Sequence, residues 1–234
     1  MARSMCGRFS LTSPVEAMRR VFDFPERPNL AARYNIAPTT NIAAIRVDKN
    51  ATGESRHYFS AHWGLIPSWA KSTEFSAKMI NARSETVTEK PAFRAAFKSR
   101  RCLIPANGFY EWQKLSKGAK QPWMIGIEDM PLFAFAGLWE SWKSADGEVI
   151  ESCTILTTTA SKSIAFIHPR MPVILEPSRF DPWLRGEAGT EVLKAFDADR
   201  MTFYKVSSRV GNVRNDDADL LKPVDPPPTQ ARLL

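Results

Sequence analysis

The stretch GFYEWQKLSKGAKQPWMIGIEDMPLFAFAGLWESWKSADGEVIESCTILTTT, residues 108–159, decides the fold. Runs rich in aromatic and β-branched residues at Gly108–Lys114, Pro122–Ile127, Leu132–Trp142 and Val149–Thr159 read as strands. Lys117-Gly118 and Asp146-Gly147 punctuate them as hairpin turns. Connections this short imply antiparallel pairing. Upstream, Ile42–Val47 and Arg56–Trp63 read as two more strands, joined by the turn-like Asp48–Gly53. Helical signals are fewer. Ser13-Pro14-Val15-Glu16 has the form of a helix start: Ser13 as cap, Pro14 in the first turn, Glu16 completing a capping box. That helix runs to Phe22, with Val15, Met18 and Phe22 on one face. A short helix over Pro91–Lys98 carries Phe93 and Phe97 at helical spacing, and further helices are expected near Pro182 and over Glu191–Phe196 with Thr190 as cap. The expectation is an α+β fold, with a curved, mainly antiparallel sheet and peripheral helices. One domain covers residues 1–222, with no repeat or linker dividing it, and a flexible, Pro-rich tail follows over 223–234.

The chain has 234 residues, 44% of them hydrophobic, which is ordinary globular composition with enough apolar residues for a sizeable core. No run approaches the roughly 18 apolar residues of a membrane span, and Met1–Phe9 is too poor in apolar residues to serve as a secretory signal. Three cysteines, Cys6, Cys102 and Cys153, are widely spaced, and none falls in a CxxC pair. Neither a zinc site nor a disulfide framework is suggested, and free thiols suit a reducing cytosol. The formal charge of +7 favours encounter with polyanions such as nucleic acid.

Cys6, Arg8, Asn35, Asn81, Arg83, Glu111 and His168 stand out as polar residues among apolar or turn-forming neighbours. Residues so embedded are either paired in the core or placed in a pocket. Spacing leaves both readings open. Cys6 can be a small buried hydrophobe, His168 a satisfied structural histidine, and Glu111 half of a buried ion pair with an arginine. Cys102 and Cys153 read as core residues, as do most of the tryptophans. Trp69, following Pro67-Ser68 in a loop, is the tryptophan placed to stack on a base.

Several segments together resemble one family. Met5-Cys6-Gly7-Arg8-Phe9 is similar to the N-terminal signature of the SRAP family, the SOS response-associated peptidase-like proteins that process abasic sites. The resemblance continues through Arg33–Thr39 (RYNIAPT), Trp63–Trp69 (WGLIPSW), Asn81–Thr86 (NARSET) and Arg101–Trp112 (RCLIPANGFYEW). It ends with Ile167–Pro172 (IHPRMP) and the Val206–Asn215 segment. The segments follow the family's order over nearly the whole chain. The resemblance implies a barrel-like α+β fold, with Cys6 as nucleophile and Asn81, Glu111 and His168 around it. It also implies a basic, aromatic-edged groove for single-stranded DNA built from Arg8, Pro38, Trp69, Arg83, Thr157 and Arg170.

The implied partner is single-stranded DNA containing abasic sites, met alongside the replication machinery by a monomer in the cytoplasm, nucleoid-associated in a bacterium. No membrane, metal or cofactor is called for. An abasic site equilibrates with an open-chain aldehyde, and a cysteine with a free α-amine is a 1,2-aminothiol. The amine forms a Schiff base and the thiolate closes a thiazolidine ring, a covalent crosslink that protects the strand from breakage. Glu111 would move protons at the amine, His168 would protonate the sugar ring oxygen, and Asn81 would hold the amine or substrate. Arg8, Arg83 and Arg170 suit phosphates, Trp69 and Pro38 the flanking bases, and nearby cations are expected to lower the thiol pKa. In the family the cysteine directly follows the initiator methionine, whereas here Met1-Ala2-Arg3-Ser4 precede Met5. Either Met5 is the true start, or residues 1–5 are removed by self-processing, or they are an addition that stays attached. Two other activities compete: a thiol peptidase with Cys6 as nucleophile and His168 as base, and a single-strand-binding module without covalent chemistry.

Overall fold

The computed structural model describes residues 6–50 and 53–224. Two sheets carry the fold. The first has five strands: β1 (Phe9–Leu11), β2 (Arg33–Ile36), β7 (Gly108–Lys114), β8 (Lys120–Ile127) and β13 (Met201–Lys205), in the order β13-β8-β7-β1-β2. The second has eight: β3 (Asn41–Asn50), β4 (Gly53–Trp63), β5 (Asn81–Arg83), β6 (Arg101–Ala106), β9 (Phe133–Lys143), β10 (Val149–Thr159), β11 (Arg170–Pro172) and β12 (Ile174–Leu175). Because β10 pairs with both β4 and β9, the path β10-β4-β3-β6-β9 closes on itself, giving a barrel-like wall. Closure leaves fewer open edges.

The four strands of the 108–159 stretch form as the sequence predicts, β7 and β10 with the predicted bounds. The Lys117-Gly118 and Asp146-Gly147 turns lie between them, each glycine at positive φ. Pairing is mainly antiparallel, but β10 runs parallel to β4 and to β5, because long excursions separate those segments. Three short α-helices, α1 (Val15–Phe22), α2 (Arg94–Ser99) and α3 (Phe180–Leu184), lie at the periphery.

Two helical expectations are corrected. Ser13 does not cap α1: Pro14 is the N-cap and makes no side-chain bond. The Ser13 hydroxyl instead accepts a hydrogen bond from Asn107 Nδ2 at 2.8 Å, while Asn107 Oδ1 accepts from the Thr12 and Ser13 amides. A tertiary partner has displaced the local cap. Glu191–Phe196 is not an α-helix. Only a single 3₁₀ turn, Thr190–Val192, forms there, and Leu193 and Phe196 are buried as anchors of irregular chain. The start of the expected tail is held, since the Val224 amide donates to Lys205 O at 3.0 Å. Residues 1–5 and 225–234 lie outside the described residues. Among the described residues no helix is long and apolar enough to cross a membrane.

The main core lies between the sheets. Phe9 of β1 meets Trp63 of β4 and Phe135 of β9 edge-on at centroid distances of 5.3 and 5.7 Å. Phe109 of β7 belongs to the same cluster, whereas Tyr110 packs on the opposite face with Met124, Val206, Val210 and Leu220. Side chains alternate along a strand, so Glu111 points the same way as Phe109, into the space between the sheets. That register is what buries a carboxylate, leaving it only 3% exposed.

Candidate active site

Cys6 leads directly into β1, and β1 is held between β2 and β7. Phe9 pairs with Phe109, and the Tyr110 amide donates to Arg8 O at 2.9 Å. The same pairing lays Cys6 alongside Glu111. The Cys6 backbone N–H donates to Glu111 Oε1 at 2.8 Å, and both residues are buried. Asn81, the first residue of β5, donates from Nδ2 to Cys6 O at 3.2 Å. His168 closes the group, with Nδ1 3.9 Å from Glu111 Oε1. Its Nδ1 also lies 3.2 Å from the Arg170 amide and 3.1 Å from the Arg170 carbonyl. A neutral ring with bare Nδ1 accepts the amide, and a protonated ring donates to the carbonyl. The fold therefore gathers Cys6, Asn81, Glu111 and His168 at one place, from four separate parts of the chain.

The electrostatics follow from burial. Glu111 is pushed up to about 8, because burial disfavours the charged form more than the Cys6 and Trp112 amides favour it. Its partners are those amides and His168, not an arginine as the buried-ion-pair reading would have it. The expectation for the thiol is reversed. Burial, and secondarily the Glu111 charge, drive the Cys6 thiol well above its ordinary value. The cations expected to lower it face other partners.

Arg8 shows where they go. Its guanidinium donates to Asn35 Oδ1 at 3.0 Å and to Val210 O at 2.8 Å. Asn35, itself buried, donates from Nδ2 to the carbonyls of Val210, Asn212 and Asn215. Asp216 completes this clasp by accepting from the Tyr34 and Asn35 amides at 2.5 and 2.9 Å. Arg170 forms a bidentate pair with Glu85 and also donates to Thr157 O at 2.7 Å. Thr157 is buried on β10, in register with Arg83 on one side and Pro172 on the other. Arg83 is exposed.

Pro38 and Trp69 lie on two connected loops. The Thr39 amide donates to Trp63 O at 2.9 Å, and the Trp63 amide to Thr40 O at 3.0 Å, tying the Pro38 turn to the segment that ends at Trp69. Gly64 makes that segment possible. Its φ is 144°, and a Cβ there would lie 2.5 Å from Ser76 O. Trp69 is 67% exposed, unlike the buried Trp63 and Trp183. Glu85 and Asp216 escape a reading of the sequence. Glu85 sits in the quoted Asn81–Thr86 segment without a local partner to mark it, and Asp216 follows the Val206–Asn215 segment by one residue. Among the described residues no cluster of metal-ligating side chains forms.

Comparison with known proteins identifies the family and the fold. The family model for SOS response associated peptidase (SRAP) matches residues 5–213. The chain is 42% identical to the abasic site processing protein YoaM of Bacillus subtilis, over 93% of this chain and 97% of that one. It is 30% identical to the abasic site processing protein HMCES of Rattus norvegicus, over 94% and 76% respectively. A crystal structure of a protein from Bacteroides thetaiotaomicron superimposes with a TM-score of 0.82 at 25% identity, covering 94% of this chain and all of that one. Another from Bordetella bronchiseptica does so with a TM-score of 0.75 at 29% identity, covering 86% of this chain and all of that one. The matched residues span both sheets and the cluster around Cys6, and the chain belongs to the SRAP family.

Proposed function

We propose that this protein binds single-stranded DNA at abasic sites and crosslinks to them through Cys6. The observation that carries the reading is the backbone nitrogen of Cys6 hydrogen-bonded to a buried carboxylate at 2.8 Å, with a histidine next to that carboxylate. A peptide nitrogen needs no such partner for chemistry, whereas an α-amine does. Once the Met5–Cys6 bond is cleaved, the amine inherits this position.

The steps then balance. His168 donates a proton to the ring oxygen of the abasic sugar as the C1–ring-oxygen bond breaks and the anomeric hydroxyl loses its proton to solvent, opening the sugar to the aldehyde. The amine adds to the aldehyde carbon, Glu111 relays the protons, and water leaves as the imine forms. The Cys6 sulfur adds to the imine carbon, its proton passes to the nitrogen, and the thiazolidine ring closes. A carboxyl near 8 is suited to both proton uptake and release at neutral pH. Asn81, bonded to Cys6 O, fixes the nucleophile's backbone while its nitrogen and sulfur react. Arg83, Arg170 and Arg8 are assigned to the DNA backbone, Thr157 to holding Arg170 in place, and Pro38 and exposed Trp69 to the bases beside the lesion. In this reading Arg170 exchanges Glu85 for a phosphate on binding.

Intact-mass spectrometry before and after incubation with abasic single-stranded DNA tests this. The expected result is a chain beginning at Cys6 that gains the mass of the DNA less one water and survives heating. An equal yield from Cys6→Ala, or from protein still carrying residues 1–5, overturns it. The thiol-peptidase reading predicts N-terminal loss without the DNA adduct.

A further inference from the structure

A second group of chemistry-bearing side chains, Ser55 and His57 of β4 with Glu26 from the segment between α1 and β2, shares no residue with the Cys6 site. Ser55 and His57 are two apart on β4, so their side chains lie on one face. Ser55 Oγ is 2.6 Å from His57 Nε2, and His57 Nδ1 is 2.6 Å from Glu26 Oε1. Glu26 also accepts from the Tyr58 amide through Oε2 at 3.1 Å, which holds the carboxylate beside the ring. Burial alone would raise the Glu26 pKa, but the hydrogen bonds from His57 and the Tyr58 amide outweigh it and hold it low. An ionised carboxylate only accepts, so His57 Nδ1 carries the proton. In the neutral ring Nε2 is then the bare nitrogen and takes the serine O–H. That is the tautomer a general base needs.

The three side chains are not sealed. His57 is 28% and Glu26 35% exposed, and Ser55 opens onto a cleft of about 680 Å³. Arg19, Arg20, Arg56 and Arg185 line that cleft, with Arg19 paired to Glu16 and Arg56 to Asp181, and Phe24 and Pro25 supply an apolar part of the lining. A cleft of mixed charge with an apolar part suits a small polar ligand such as an ester.

We infer that Ser55, His57 and Glu26 form a second nucleophilic centre, which hydrolyses small carboxylic esters. Ser55 Oγ attacks the ester carbonyl as its proton passes to His57 Nε2. The carbonyl–oxygen bond of the ester breaks, and the leaving alcohol takes that proton. Water, deprotonated by His57, then hydrolyses the acyl-serine and restores the serine O–H.

An alkyl fluorophosphonate tests the nucleophile, since attack by Ser55 expels fluoride and leaves a stable ester whose position peptide mass spectrometry reads. The full chain should be labelled at Ser55, and His57→Gln should slow labelling by about 100-fold, the scale of general-base assistance. Urea unfolding of the variant checks that it folds. Turnover of 4-nitrophenyl acetate tests the reaction, with kcat/KM in His57→Gln expected to fall by the same ~100-fold. No adduct on Ser55 in the wild-type protein, or the same labelling rate in folded His57→Gln, overturns the nucleophile. Equal kcat/KM for 4-nitrophenyl acetate in the wild-type protein and folded His57→Gln overturns the ester reaction.

Discussion

The molecule contains two clusters of similar composition, a cysteine or a serine with a histidine and a glutamate, and their environments drive them apart. At Cys6 the glutamate is sealed between the sheets, 3.9 Å from its histidine, and is pushed up to about 8. At Ser55 the glutamate is one-third exposed, 2.6 Å from its histidine, and stays low. Burial that outweighs the hydrogen bonds from the Cys6 and Trp112 amides suits Glu111 to the proton-carrying role proposed above. Direct hydrogen bonds with modest burial hold Glu26 low and suit it to the ring-orienting role inferred above. The lesson is that a Glu–His pair has no fixed role: solvent access and the contact distance decide it.

Exchanging the carboxylates breaks the comparison where it is strongest. Glu111→Gln keeps the shape and the acceptor at Cys6 N but cannot carry a proton, so crosslinking to abasic DNA should slow by about 10²–10³. Single-turnover gels measure this, and a rate within threefold of wild type would remove Glu111 from proton transfer. The next effect concerns stability. Glu111 holds its proton more tightly folded than unfolded, so its neutral form favours the fold. That contribution is fully present below about pH 4.5 and is lost as pH rises through about 8. Urea unfolding should show stability falling over this window by a few kcal/mol, on the order of 1.4 per pH unit at most. Glu111→Gln should flatten that slope.

Glu26→Gln supplies the opposite sign and a smaller size. Glu26 is held below its ordinary value, so its contribution is present above about pH 4.5 and disappears as pH falls through the lowered value. With a third of the side chain in solvent, the loss at pH 7 should stay under ~1 kcal/mol. The smallest effect expected is on DNA affinity. Glu85→Gln frees Arg170 from its bidentate partner, and binding to single-stranded DNA should tighten about two- to fivefold at low salt, read by fluorescence anisotropy. Weaker binding would mean that Glu85 positions Arg170 for phosphate, not away from it.

Some of this was legible along the chain. The long strands carry their own aromatic and β-branched signal, and glycine turns mark their ends, so β7 and β10 match their predicted bounds. The three-residue β1 and the four-residue β2 carry no such signal. They are strands because β7 and the Asn35–Asp216 clasp hold them there. Ser13 illustrates the same limit, since its local capping role yields to Asn107, 94 residues away. The thiol of Cys6 was misjudged for a related reason. Counting cations in the sequence says nothing about which of them are already engaged, and Arg8 and Arg170 are bonded to Asn35 and Glu85.

What the sequence determined by itself is the α+β class, the long antiparallel strands and the family, because those rest on residue type and local order. Tertiary structure alone decided the rest: the closure of the wall through β10, the face on which Glu111 is buried, and the sign of each carboxylate's shift. Those depend on distances between residues up to 105 positions apart, as with Cys6 and Glu111, and only the folded chain sets such distances.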